Sequence, residues 1–128
     1  MLSWTFNPTD TAYRLAKAHG IRTAFGSDLL FSETLAARQG TMLTHLTRWY
    51  GNAEILRMAT GVNADLLALS GPRNPYPGKL GVIEEGAFAD LLVVDGNPVE
   101  DIALMADPGR NVHLIMKGGV AYKDRLNR

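Results

Sequence analysis

The chain has 128 residues, 46% hydrophobic and 20% charged, which is enough for one soluble domain with a core of its own. Thirteen basic residues balance thirteen acidic ones, so no net field selects nucleic acid or an anionic membrane as a partner. There is no cysteine, which excludes disulfides and thiolate chemistry and fits a reducing, cytoplasmic setting. The opening Met1-Leu2-Ser3-Trp4-Thr5-Phe6 lacks the basic lead and long apolar run of a secretory signal, and no apolar stretch reaches membrane-spanning length.

Residues 1–8 read as an irregular lead-in. Thr9 or Asp10 can cap a first helix, whose apolar stripe is Ala12, Tyr13, Leu15 and Ala16 and which His19-Gly20 ends. The run Ile21-Arg22-Thr23-Ala24-Phe25-Gly26-Ser27-Asp28 then predicts a strand, and a helix joined to a strand through a single glycine is the αβ half of a βαβ unit. If that strand is parallel, Asp28 sits at its C-terminal tip, where α/β barrels keep their chemistry. Ser32 can cap a second helix with Leu35, Met42, Leu43, Leu46, Trp49 and Tyr50 on one face, weakened in the middle by Gly40. Asn52 caps a third, with Ile55, Met58, Ala59, Val62, Leu66 and Leu69 at helical spacing and Gly71-Pro72 as its stop.

Three prolines and three glycines crowd residues 71–81, and the internal boundary falls here, dividing residues 1–71 from residues 72–128. Beyond it the period changes. Leu80-Gly81-Val82-Ile83 is a short extended piece turned by Glu84-Glu85-Gly86, and Ala89-Asp90-Leu91-Leu92-Val93-Val94-Asp95 reads as a buried strand. Asn97-Pro98-Val99-Glu100 carries the signals of a helix start, running to about Met105, and Asp107-Pro108-Gly109 is a turn. Two apolar runs, residues 112–116 and 120–123, flank Lys117-Gly118-Gly119 and predict a hairpin.

Among residues that carry chemistry, Asp28 stands out. Ser27 lacks the Gly-x-Ser-x-Gly setting and a suitably placed histidine for a nucleophile. Asp90 and Asp95 flank a strand and read as turn hydrogen-bonding groups. Trp49 and Tyr50 read as core, and neither Gly78-Lys79 nor Lys117-Gly118-Gly119 has the strand–loop–helix context of a phosphate cradle.

The segment from Gly78 to Pro98, with its core Ala87-Phe88-Ala89-Asp90-Leu91-Leu92-Val93-Val94-Asp95-Gly96-Asn97-Pro98, resembles the C-terminal signature of the amidohydrolase superfamily, in particular its imidazolonepropionase-like and Xaa-Pro dipeptidase (prolidase-like) branches. Ile55-Leu56-Arg57-Met58-Ala59-Thr60 is similar to the last barrel helix of that family, Ala24-Phe25-Gly26-Ser27-Asp28 to its eighth strand, and the late hairpin to its closing strands. The resemblance implies an α/β fold (α+β as a stand-alone piece): the last βα unit of a TIM-like barrel, followed by the C-terminal strands of a small β-sandwich. It implies metal-dependent hydrolysis of a C–N bond in a small-molecule or dipeptide-like substrate, with zinc or another divalent ion. It makes Asp28 a metal ligand and the catalytic group that handles the proton of the attacking water. Arg22 and Arg57 would be contacts for a substrate carboxylate in an intact enzyme.

The family's metal site also takes a His-x-His pair, further histidines and often a bridging Lys or Glu. The three histidines here, His19, His45 and His113, match none of these positions. Asp28 is the one ligand present, whereas a metal site takes three or four protein ligands. The chain therefore reads as the last quarter of an amidohydrolase, either a short gene product or a truncated or cleaved piece, with Asp28 lacking its catalytic site. The bare edges of a lone barrel strand predict either pairing of residues 21–28 with the C-terminal strands or self-association into a homo-oligomer. Two alternatives to the enzyme reading stand beside it: an inactive oligomerising or interaction module, and a subunit that completes a barrel begun by another chain.

Overall fold

In the computed structural model, which describes residues 7–126, the side chain of Asn7 accepts from the amides of Thr9 (3.0 Å) and Asp10 (3.4 Å) and starts α1, Pro8–Ala18. This corrects the expected cap at Thr9 or Asp10, and part of the expected lead-in lies outside the described residues. Pro8 fits the first helical position because the amide it lacks would have no helical partner there. Asp10 is thereby released for other work. It accepts from the Arg48 guanidinium (2.5 Å) and the Trp49 indole N–H (2.8 Å), tying α1 to the next helical unit. Gly20, at φ 63°, closes α1 as expected, and the Ile21 amide donates back to the Ala16 carbonyl at 2.8 Å.

The second helical unit is split. Ser32 caps α2, Glu33–Ala36, and α3, Gln39–Thr44, continues into a 3-10 turn, His45–Arg48. The break falls before Gly40 rather than at it. Gly40 serves instead as a contact: a Cβ there would lie 1.8 Å from the Met105 carbonyl oxygen. Glycine is what lets α3 seat on the 3-10 segment Ile102–Ala106.

The third unit begins with Gly51 as the cap residue, whose amide donates to Glu54 (2.9 Å). Asn52, expected as the cap, lies one residue inside, and its side-chain amide donates to the carbonyls of Val99 (3.1 Å) and Glu100 (3.0 Å). It thus stitches the helix to the C-terminal part. The unit runs as α4, Asn52–Arg57, a π turn, Met58–Val62, and α5, Asn63–Ala68.

Past residue 70 the backbone is largely irregular up to β1, Leu91–Val94. The expected extended piece at residues 80–83 does not form; a single bridge, Lys79 to Ala87, stands in its place. β1 pairs antiparallel with β2, Val112–Lys117, which pairs with β3, Val120–Asp124, giving a three-stranded sheet in the order β1-β2-β3. The hairpin turns on Gly118 and Gly119, at φ 56° and 79°, the left-handed pair that a two-residue turn requires. β1 is an edge strand, and Leu92 and Val93 are 49% and 37% exposed, so the expectation of a fully buried strand is corrected. The turn at residues 107–109 tightens into one helical turn, α6, Pro108–Asn111, capped by Asp107. The helix expected from Asn97 starts later, as the 3-10 segment after Asp101.

The core brings Leu43, Leu46, Ile55 and Met58 together with Ile102, and Tyr13, Phe25, Trp49 and Tyr50 pack against it. The Tyr13 ring centroid lies 4.4 Å from that of Trp49 and 5.6 Å from that of Tyr50. Ile55 is fully buried, and Ile55→Ala is expected to lower unfolding free energy by about 2–5 kcal/mol in urea titration, through lost burial plus a cavity.

Candidate functional site

Residues 21–29 form no strand pairing among the described residues. The expected strand, and its expected pairing with the C-terminal strands, are both corrected. A strand exists through its neighbours, and among the described residues β1, β2 and β3 pair only with one another. What holds the segment is the third helical unit. The Phe25 amide donates to Asn63 Oδ1 (3.0 Å) and to the Met58 carbonyl (3.3 Å), while Asn63 Nδ2 donates to the Phe25 carbonyl (3.0 Å). One side-chain amide thus satisfies both backbone groups of Phe25, as a neighbouring strand would. The Met58 carbonyl belongs to the π turn, whose altered ladder accompanies this sideways bond. Further back, the Arg22 guanidinium pairs with Asp65 at 2.7 Å across exposed surface, and Thr23 and Tyr50 hydroxyls lie 3.1 Å apart. Arg57 lines a small pocket of about 200 Å³ with Ile21 and Arg22, on the side of the segment away from Asp28 in sequence.

Three residues past the clamp, Asp28 is exposed and holds a left-handed backbone, φ 49°, a conformation aspartate tolerates better than most residues. Phe31 follows at φ 65° with its side chain fully exposed. Ser27 and His45 both line a pocket of about 190 Å³ beside Trp49. Asp90 accepts from the Gly118 amide at 2.6 Å, so it pins the hairpin turn, in line with its expected turn role. Asp95 approaches His113 at 3.6 Å on the surface.

Among the described residues, no three His, Cys, Asp or Glu side chains gather where they could hold a metal ion. A zinc site takes three or four protein ligands, so the donor set around Asp28 does not fit zinc on its own. Sequence reasoning missed Asn63. The signal was there: an asparagine in mid-helix, between Val62 and Ala64, is a weak helix former whose side chain seeks backbone groups.

The amidohydrolase-family model matches residues 8–121. No curated protein matches the chain. Among solved structures, an amidohydrolase is 32% identical with a TM-score of 0.77, over 91% of this chain and 26% of its own. A prolidase complexed with N-methylphosphonate-L-proline is 38% identical with a TM-score of 0.74, over 89% and 26%. A Xaa-Pro dipeptidase with bound methionine in the active site is 30% identical with a TM-score of 0.68, over 88% and 25%. The chain spans about a quarter of the length of these structures. On a family match over most of its length, and on a small α+β fold shared with amidohydrolase and prolidase structures, the chain belongs to the amidohydrolase family.

Proposed function

We propose that the chain supplies the Asp28 end of an active site for hydrolysis of C–N bonds in dipeptide-like substrates, within a cytoplasmic, metal-dependent enzyme whose remaining site residues come from elsewhere. The observation that carries this is the exposed Asp28, three residues past a backbone clamped at Phe25, in a chain 38% identical to a prolidase. In this reading, residues 1–71 are the closing part of a (β/α)₈ barrel and residues 72–128 are strands of its small sandwich. Asp28 takes the proton of the attacking water and passes it to the leaving nitrogen. The chain alone has the proton carrier but not the rest.

Elemental analysis and a peptide assay test this. The isolated chain, dialysed against zinc, is expected to hold well under one equivalent and to leave Xaa-Pro dipeptides intact. Stoichiometric zinc with turnover would contradict it.

A second reading, an inactive oligomerising module, is favoured by the apolar side chains at the surface: Phe31 is fully exposed, Ile83 is 93% exposed and Leu30 71%. Light scattering over a range of concentrations separates the two. A clean monomer at every concentration counts against the module.

A further inference from the structure

We infer that Asn63 is the positioning residue for Asp28. Its side-chain amide replaces the neighbouring strand that residues 21–28 lack, and so sets where the carboxylate stands. The bonds are a donor and an acceptor on one planar group, each 3.0 Å from the backbone of Phe25. Both are part-buried, so water competes poorly for them. The Met58 carbonyl adds a further bond to the same Phe25 amide, from the π turn just ahead of Asn63 in sequence. Arg22 and Thr23 are tied by their side chains to Asp65 and Tyr50, and beyond them, among the described residues, the bonds at Phe25 are the polar restraint between Ala24 and Asp28. Ala and Leu cannot make it. Gln carries the same amide one methylene farther out, and Asp keeps the acceptor but donates only when protonated. The functional half of this inference rests on the role proposed for Asp28; the structural half does not.

Amide hydrogen exchange on the full chain, resolved by NMR, tests the structural half. In Asn63→Ala the Phe25 amide is expected to exchange about tenfold faster, and the Asp28 amide resonance to shift, while Ile55 exchanges within about twofold of wild type. Asn63→Asp keeps the acceptor for the Phe25 amide and loses only the donor to the Phe25 carbonyl, so near neutral pH its Phe25 amide is expected to exchange more slowly than in Asn63→Ala. Unchanged Phe25 exchange in Asn63→Ala, or Phe25 exchange in Asn63→Asp as fast as in Asn63→Ala, would overturn the clamp.

The functional half is read in the assembly formed with the complementary portion of a prolidase. There Asn63→Ala is expected to lower kcat by about 10- to 100-fold with KM little changed. An altered Phe25 exchange with unchanged kcat would overturn the positioning role and leave the clamp standing. Loss in Asn63→Ala without loss in Asp28→Asn would overturn the role of Asp28 itself.

Discussion

Gly40→Ala is expected to unfold the chain or strip it of its fixed core, and Gly61→Ala to do nothing of the kind. Both glycines lie in helical segments, where alanine is favoured by up to about 1 kcal/mol, so propensity alone predicts that both substitutions stabilise. Geometry separates them. At Gly61 an added Cβ meets its nearest neighbour, the Gly81 carbonyl oxygen, at an ordinary 3.7 Å. At Gly40 it would stand 1.8 Å from the Met105 carbonyl oxygen and 2.9 Å from the Met105 carbonyl carbon. That neighbour is backbone and cannot rotate away. Relief requires α3 and the Ile102–Ala106 segment to part, and these carry Leu43 and Ile102 of the core. The cost is expected at or above the ~3 kcal/mol upper end of ordinary overpacking, a large share of the stability of a small domain. Urea unfolding followed by circular dichroism measures it. Equal midpoints for Gly40→Ala and wild type would mean that the two backbones do not touch.

The second large effect falls on activity. In the assembly completed by a prolidase's complementary portion, Asp28→Asn is expected to lower kcat by about 10²- to 10⁴-fold, the range for loss of a positioned proton carrier. The substitution keeps size and polarity and removes the ability to accept a proton. Asp28 is exposed in the chain, and Asp28→Asn is expected to leave the unfolding midpoint within about 0.5 kcal/mol of wild type, so the two readouts separate chemistry from folding.

How far the sequence could be read depended on the range of each interaction. The hairpin was legible because its requirement is local: Gly118 and Gly119 supply the two left-handed residues between two apolar runs. The Asp90 bond to the Gly118 amide was foreseeable in kind, since an aspartate beside a strand seeks a turn amide. The caps were legible only to within a residue or two. Asn7 rather than Thr9 caps α1, and Gly51 rather than Asn52 starts α4, because Asp10 and Asn52 are drawn to partners 38–39 and 47–48 residues away. Gly40 was legible as a weak point in a helix but not as a contact surface, since Met105 lies far along the chain. The apolar run at residues 21–28 reads as a strand in a full barrel. Here it is held by Asn63, whose mid-helix position hints that its side chain seeks backbone groups but does not name a partner 38 residues away. Asp28 stands out in the sequence by its place after Gly26-Ser27, and among the described residues no three His, Cys, Asp or Glu side chains gather to hold a metal ion.

The most direct test is a complementation assay. The chain and the complementary portion of a prolidase are purified separately, then mixed with zinc and a Xaa-Pro dipeptide. No hydrolysis is expected from this chain alone, hydrolysis is expected on mixing, and it is expected to be lost when the chain carries Asp28→Asn. Turnover by the chain alone, or turnover in the mixture that Asp28→Asn leaves intact, would contradict the proposed function.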